Sequence, residues 1–314
     1  MRTAIIVGCE GQDGRIAFDL LAQKQYRVLG IGRGGVKSAG VDWDQPVDIT
    51  KKEDVMRLSR AVQADEIYYL AACHQSSQDK LGDEADLLKE SQAVHVEGLL
   101  YFCEGIKTYN PAARLFYAAS SLIYEGTDTE VQDERTPFAP QSIYAMTKLS
   151  GLLLCRHYRA RGVFASCGIL YNHESPYRRE GFLSAEIIKA ALKIKEGKQD
   201  ALVLGDLNAR ADWGYAPDYV AAMHCILNAG QADDFIIASG RAHSVRDFVT
   251  IVFDLLGLDW KKYVREDRGL MTRTRKVLMG DPKKLMATTG WRPTVDFQGM
   301  IKALLHTGGK DGQK

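Results

Sequence analysis

Gly8, Gly11 and Gly14 are spaced G-x-x-G-x-x-G between an apolar run, Thr3–Val7, and a helical stretch over residues 15–24. A strand that runs into such a turn and on into a helix brings bare backbone up to a helix N-terminus. Glycine permits the tight turn and the close approach, and the helix N-terminus stabilises negative charge, so the unit is built for a pyrophosphate. Glycine-rich turns are common, and the spacing gains meaning from its strand–turn–helix setting at the start of the chain. The rest of the first half keeps that rhythm. Strands over 27–31, 66–71, 115–119 and Phe164–Leu170 alternate with helices over 53–63, 86–109 and 142–161. Strands separated by helices predict an α/β fold: a Rossmann-like, doubly wound parallel sheet with ligands at the carboxyl ends of its strands.

After Leu170 the alternation loosens. Helices over 182–195, 218–228 and 244–256 and a strand over 235–238 are separated by polar, turn-rich segments such as NHESPYRR and GDLNARADWG. This pattern predicts a smaller mixed C-terminal substrate lobe capping the sheet. The dinucleotide-binding domain is expected over 1–170, with 213–240 returning to it, and the lobe over 171–212 and 241–314. A chain of 314 residues is long enough for such a pair. Its 41 basic and 40 acidic residues are interleaved, which argues against nucleic acid and anionic membranes as partners. The six cysteines are scattered without a C-x-x-C pair, so neither a metal site nor a disulfide framework is expected, and a reducing compartment fits. MRTAIIVG enters a strand at once, and no apolar run approaches the roughly 20 residues of a membrane span. A soluble, cytoplasmic protein is expected.

Within the dinucleotide half, an acid at the end of the second strand would signal NAD through the ribose 2′-OH. An arginine there would pair with the 2′-phosphate of NADP. The segment RVLGIGRGG offers no acid and places Arg33 at that point, so NADP is expected, with NAD as the alternative. Asp48 falls where a side chain reaches the adenine edge, or where the next helix needs an N-cap.

Tyr144 and Lys148 stand four apart in SIYAMTK and share a helix face. A lysine ammonium beside a phenol favours the phenolate and is expected to bring its pKa towards neutrality. Tyr144 then serves as a base while hydride leaves a carbinol carbon, and Ser120, at a strand end, hydrogen-bonds the same oxygen. A lone Y-x-x-x-K is a common surface pair. Downstream of a nucleotide-binding turn, with a serine at the right place upstream, it reads as a catalytic set.

These residues form the pattern of the extended short-chain dehydrogenases. More narrowly, GCEGQDG, ADEIYYLAA, NHESPYRR, GDLNARADWGYAPDYV, FIIASGRAHSVRDF and GDPKK resemble GDP-mannose 4,6-dehydratases over nearly the whole chain. The resemblance implies an NAD(P)-dependent enzyme acting on a nucleotide sugar, GDP-linked by preference, and assembling as a homodimer or homotetramer. It assigns Gly8, Gly11, Gln12, Asp13, Gly14, Arg33, Asp48, Ile49, Leu70, Ala71 and Ala72 to the cofactor, together with Tyr144 and Lys148. To the substrate it assigns Cys73, His74, Ser121, Leu122, Asn172, Arg178, Arg210, Trp213, Arg273 and Arg275. His173 and Glu174 are expected to brace their loop.

The departures bear on the reaction. Dehydratases of this family carry Thr-Ser-Glu before Leu-Tyr-Gly, and the glutamate removes the C5 proton and assists loss of the C6 hydroxyl. Here Ser120 takes the place of the threonine and Leu122 that of the glutamate, with Glu125 three residues further on. Cys73 and His74 stand where the family has Gln-Ser-His, and are where a second acid–base group would be sought. An Arg-Lys pair is replaced by Ala185 and Glu186, and the arginine before Asp-Trp-Gly by Ala211. Oxidation or reduction at C4 is therefore expected, with dehydration doubtful. The alternatives are a true 4,6-dehydratase using another carboxylate, a nucleotide-sugar epimerase, and a dinucleotide-binding sensor or scaffold without catalysis.

Overall fold

The computed structural model describes residues 1–73, 83–270 and 276–308. In chain order its first half is β1 (Thr3–Val7), α1 (Gln12–Gln23), β2 (Arg27–Gly32), β3 (Gly35–Ala39), α2 (Lys52–Ala61), β4 (Glu66–Tyr69), α3 (Glu84–Gln92), α4 (Gly98–Tyr109), β5 (Arg114–Ser120), β6 (Val131–Gln132), α5 (Ile143–Arg159) and β7 (Phe164–Leu170). The second half is β8 (Asn172–Glu174), α6 (Leu183–Lys195), β9 (Leu202–Leu204), β10 (Arg210–Tyr215), α7 (Ala216–Leu227), β11 (Asp234–Ile237), β12 (Ala242–Ser244), α8 (Val245–Leu255), α9 (Trp260–Tyr263), β13 (Val264–Glu266), β14 (Met279–Gly280), α10 (Lys283–Thr289) and α11 (Phe297–Gly308).

Seven strands form the central sheet in the order β11-β7-β5-β4-β1-β2-β3, parallel except for the last pair. Every residue of β1 is buried, as a parallel strand covered on both faces requires. On one face the core gathers Val55 and Leu58 of α2, Leu99 and Phe102 of α4, and Leu152 of α5. On the other it gathers Ala17 and Leu21 of α1 with Met223 and Ile226 of α7. The chain leaves β1 towards β2 on one side and returns through β4 on the other. The crevice for a ligand therefore opens beyond the carboxyl ends of β1 and β4.

Two elements differ from expectation. The antiparallel β3 follows a turn through Gly35, whose φ of 121° lies in the left-handed region that favours glycine. Its sequence GVKSA lacks the apolar run of a buried strand because it lies at the sheet edge, only partly covered. The single long helix expected over 86–109 is instead α3 and α4 joined by a π-helical turn, Ala93–Glu97.

A separate core holds the smaller lobe. Ile187 and Ile194 of α6, Val249 and Phe253 of α8, and Met300 and Ile301 of α11 pack together there. Leu285 and Trp291, which fall in the stretch assigned above to that lobe, join the α1/α7 side of the sheet. The buried Asp212 carboxylate ties β10 to the segments around it. It accepts hydrogen bonds from Ser239 N and Oγ (2.9 and 2.6 Å), Gly240 N (3.0 Å) and Gly280 N (3.3 Å). No helix among the described residues is long and apolar enough to cross a membrane.

Candidate active site

Gly8 has φ 94°, and a Cβ there would lie 2.8 Å from the backbone nitrogen of Ala71, just past β4. A Cβ on Gly14 would lie 2.2 Å from the Gly8 carbonyl oxygen, so only glycine lets α1 start this close to β1. Gly11 is the N-cap of α1 and no side chain caps it, which leaves the first-turn N–H groups for a ligand. The uncapped helix start beside this close-packed glycine turn fits a dinucleotide pyrophosphate.

The side chains of Gln12 and Asp13 reach another element, while their N–H groups stay in the uncapped first turn of α1. Gln12 Nε2 donates to the His173 carbonyl (3.0 Å), and its Oε1 accepts from Ser175 Oγ (2.9 Å). Asp13 pairs with His173 Nε2 at 3.0 Å. Burial opposes the Asp13 charge, but His173 outweighs it and holds the carboxyl below its usual range. The His173 ring stacks on Tyr219 at 4.6 Å. Both side chains thus fasten the first helix to the NHESP loop. Asp48 likewise serves its own loop, accepting from Thr50 N (3.0 Å) and Oγ1 (2.7 Å), while Ile49 packs against the core. Arg33 is exposed in the β2–β3 turn.

Beyond the glycine turn, β5 delivers Ser120 and α5 delivers Tyr144 and Lys148. Ser142 caps α5 by accepting from Ala145 N (3.3 Å), which fixes the helix start just before Tyr144. The Ser120 hydroxyl is close enough to the Tyr144 phenol to draw its pKa down. Lys148, buried, donates to the Ala118 carbonyl (2.9 Å), with its Nζ 5.8 Å from the centre of the Tyr144 ring. The three residues are brought together, but the electrostatics depart from expectation. Burial pushes the Tyr144 phenol up to about 12, against the pull of Arg178 and Ser120. Burial pushes Lys148 down to about 7, so it is only partly cationic at neutral pH and favours the phenolate weakly. Tyr144 therefore holds its proton, as a donor does.

One residue of this centre escaped the sequence reading. His95, fully buried in the π-helical turn, sets its ring edge-on to Tyr144 at 5.4 Å. Its Nε2 accepts from Cys73 N (3.0 Å), which leaves Nδ1 to donate to Thr147 Oγ1 (2.8 Å). Thr147 in turn donates to the Ile143 or Tyr144 carbonyl at 3.0 and 3.1 Å. This chain ties the segment after β4 to the helix that carries Tyr144. A histidine inside an apolar helical run was the one available signal. π-turns recur at functional sites because they re-aim a side chain without ending the helix.

Of the residues expected at the substrate, Ser121 is buried and Leu122 half-buried in the turn after β5, and Asn172 is exposed on β8. Arg178 is brought to the site. Its Nε lies 3.2 Å from Glu174 Oε2, its guanidinium covers the Phe182 ring at 3.8 Å, and its charge acts on Tyr144. Trp213 is not a cleft residue: 6% exposed, it sits in the lobe core against Phe248 and Phe297. Arg210 donates to the Ala242 carbonyl (3.1 Å) and its charge falls on His243 and Asp247. Burial and Glu90 push the Cys73 thiol up, which unfits it as a base. His74, Arg273 and Arg275 lie outside the described residues.

Among the described residues, the carboxylates Glu125 and Glu174 are engaged elsewhere. Glu125 Oε1 accepts from Gln141 N (2.6 Å) and Ser142 Oγ (2.8 Å), anchoring the start of α5. Glu174 accepts from Ser184 Oγ (2.5 Å) and faces Arg178. Replacing Glu125 with alanine is expected to cost about 1 kcal/mol in a denaturant titration, the scale of a lost helix-start contact. A change in product identity in that variant would instead place the carboxylate in the chemistry.

The family model described as GDP-mannose 4,6 dehydratase matches residues 5–304. GDP-mannose 4,6 dehydratase 2 of Arabidopsis thaliana is 33% identical over 327 residues, covering 97% of this chain and 86% of the relative. The Homo sapiens GDP-mannose 4,6 dehydratase is 31% identical, covering 96% and 90%. Among solved structures, RMD from Pseudomonas aeruginosa complexed with NADPH aligns with TM-score 0.83 at 18% identity, over 99% of this chain and all of that one. Thermus thermophilus UDP-glucose 4-epimerase complexed with NAD aligns with TM-score 0.80 at 22% identity, over 98% and 99%. The chain belongs to the GDP-mannose 4,6-dehydratase family, within the NAD(P)-dependent nucleotide-sugar dehydratases and epimerases of the short-chain dehydrogenase superfamily.

Proposed function

We infer that this protein is an oxidoreductase acting at C4 of a nucleotide-linked hexose, GDP-linked by preference, without the dehydration that names its family. The reading is supported by the gathering of Ser120, Tyr144 and Lys148 together with Leu122 in the family glutamate's place and, among the described residues, the engagement of Glu125 and Glu174 by other partners. The nicotinamide, when bound, supplies or accepts the C4 hydride. In reduction Tyr144 gives its phenolic proton to the developing C4 alkoxide, while Ser120 holds the same oxygen in place. In oxidation the C4 hydroxyl proton passes to the Tyr144 oxygen as the C4–H bond breaks. Lys148 and Arg178 favour the phenolate in that direction.

The protonated form of Tyr144 is the one that serves reduction of a 4-keto sugar, and its deprotonated form serves oxidation. Oxidation should accelerate as the medium becomes alkaline, because the base form becomes more abundant. The reading is tested by incubating the protein with GDP-, UDP-, CDP- and dTDP-hexoses and either oxidised or reduced dinucleotide. Reduced-nicotinamide absorbance and product mass are followed. A change in absorbance matched by gain or loss of two hydrogens is expected. A product lacking one water, with no net change in dinucleotide, would replace this reading with that of a dehydratase.

A further inference from the structure

We propose that Glu10 is the residue that selects the cofactor, and that its carboxylate binds the adenosine ribose 2′-hydroxyl and makes this an NAD(H)-preferring protein. The inference rests on the dinucleotide site read above and fixes which dinucleotide it takes. Cofactors in this fold run across the sheet from the reaction centre, past the first helix, to the carboxyl end of β2, where the 2′ position is read. β2 finishes on Gly30, Ile31 and Gly32 and the turn continues through Gly34 and Gly35, so the exposed Arg33 is the one long side chain this segment itself supplies there.

An acid reaches the same place from the neighbouring glycine turn. Glu10 Oε1 accepts from Gly34 N at 2.9 Å, which seats its carboxylate over the end of β2. A Cβ on Gly32 would lie 2.5 Å from Glu10 Cδ, and one on Gly34 would lie 2.6 Å from Oε1. The glycines of this strand and turn thus make room for an acid delivered by another element, which occupies the place usually held by a β2 aspartate or glutamate. The carboxylate borders an open cleft of about 400 Å³ shared with Arg15, Asp19, Lys37 and Tyr177. Arg15 Nε donates to the Glu10 carbonyl (2.9 Å) with its guanidinium over Tyr177, and Lys37 Nζ lies 4.0 Å from the centre of the Phe18 ring. Both cations have aromatic or carbonyl partners, whereas the carboxylate keeps a second oxygen for a hydroxyl donor. A 2′-phosphate at this spot would meet a like charge at close range.

Binding of NADH and NADPH to the whole protein, followed by calorimetry or nicotinamide fluorescence, tests this without reference to turnover. The parent is expected to bind NADH about ten-fold or more tighter than NADPH, the scale of one hydrogen bond to a charged acceptor. Glu10→Gln should narrow that ratio by about ten-fold. NADPH binding as tightly as NADH or tighter in the parent would overturn the proposal while leaving the dinucleotide site intact. So would an unchanged ratio in a folded Glu10→Gln. If neither nucleotide bound, the functional reading would fail with it. The parent ratio decides the matter even if a variant does not fold.

Discussion

Replacing Tyr144 with phenylalanine is expected to lower turnover by about 10²–10⁴-fold, the usual weight of a positioned acid or base. Dinucleotide affinity should stay within a few-fold of the parent. The change removes one oxygen and leaves the ring, which keeps its edge-on contact with His95 and its place beside Lys148. Ser120 loses its neighbouring phenol and retains the Leu122 N–H donor at 3.3 Å, so the turn after β5 should hold. Stopped-flow or steady-state rates with reduced dinucleotide and a 4-keto nucleotide sugar measure the loss. Nicotinamide fluorescence reports binding in the same samples. Retention of parental turnover would remove Tyr144 from the chemistry. A protein with cellular effects that survive this substitution would be a sensor of dinucleotide rather than an enzyme.

Truncating Glu66 to alanine is expected to destabilise the fold by about 3–5 kcal/mol, the cost of breaking a buried, hydrogen-bonded charge cluster. Glu66 opens β4 at the end of the sheet opposite the active site and has no exposed surface. Its oxygens accept from Tyr68 (2.6 Å), Tyr26 (3.1 Å) and Asn228 Nδ2 (3.3 Å), and it pairs with Arg2. Burial alone would raise its carboxyl, but His224, Tyr68 and Arg2 together hold it below the usual range. Alanine would leave the buried Tyr68 hydroxyl without its short acceptor and strand the remaining donors. A carboxyl depressed on folding contributes its stability above the unfolded carboxylate range. That contribution disappears as pH falls through the lower folded value. The parent and the variant should therefore converge in chemical denaturation at strongly acidic pH and separate near neutrality. Equal denaturation midpoints at neutral pH would contradict this account.

The parts of this molecule that were legible in its sequence are those whose meaning is local. The glycine spacing dictates the turn after β1 because Gly8 and Gly14 meet backbone within a few residues or one neighbouring strand. Tyr144 and Lys148 share a helix face by periodicity alone. The bracing role of His173 could be anticipated from its loop, although its partner Asp13, far away in sequence, could not. What stayed hidden depends on tertiary contact. Gln12 and Asp13 read as cofactor residues from their place in the glycine turn, yet their side chains reach the NHESP loop. Glu10 reads as an unremarked loop acid until β2 and its turn are laid beside it. His95 acquires its role from Cys73 and Thr147, which approach from two other elements. The expected depression of the Tyr144 phenol assumed a charged lysine, and the depth at which Lys148 is buried was not visible in a spacing of four.

Leu122 and the engagement of Glu125 and Glu174 together predict that the C5 hydrogen is never removed. The most direct measurement is NMR and mass analysis of the product formed in heavy water from whichever nucleotide hexose is turned over. Hydride exchange at C4 with C5 still carrying protium and every oxygen retained is the predicted result. Deuterium at C5 accompanied by loss of water would contradict it and return the protein to the reaction of its relatives.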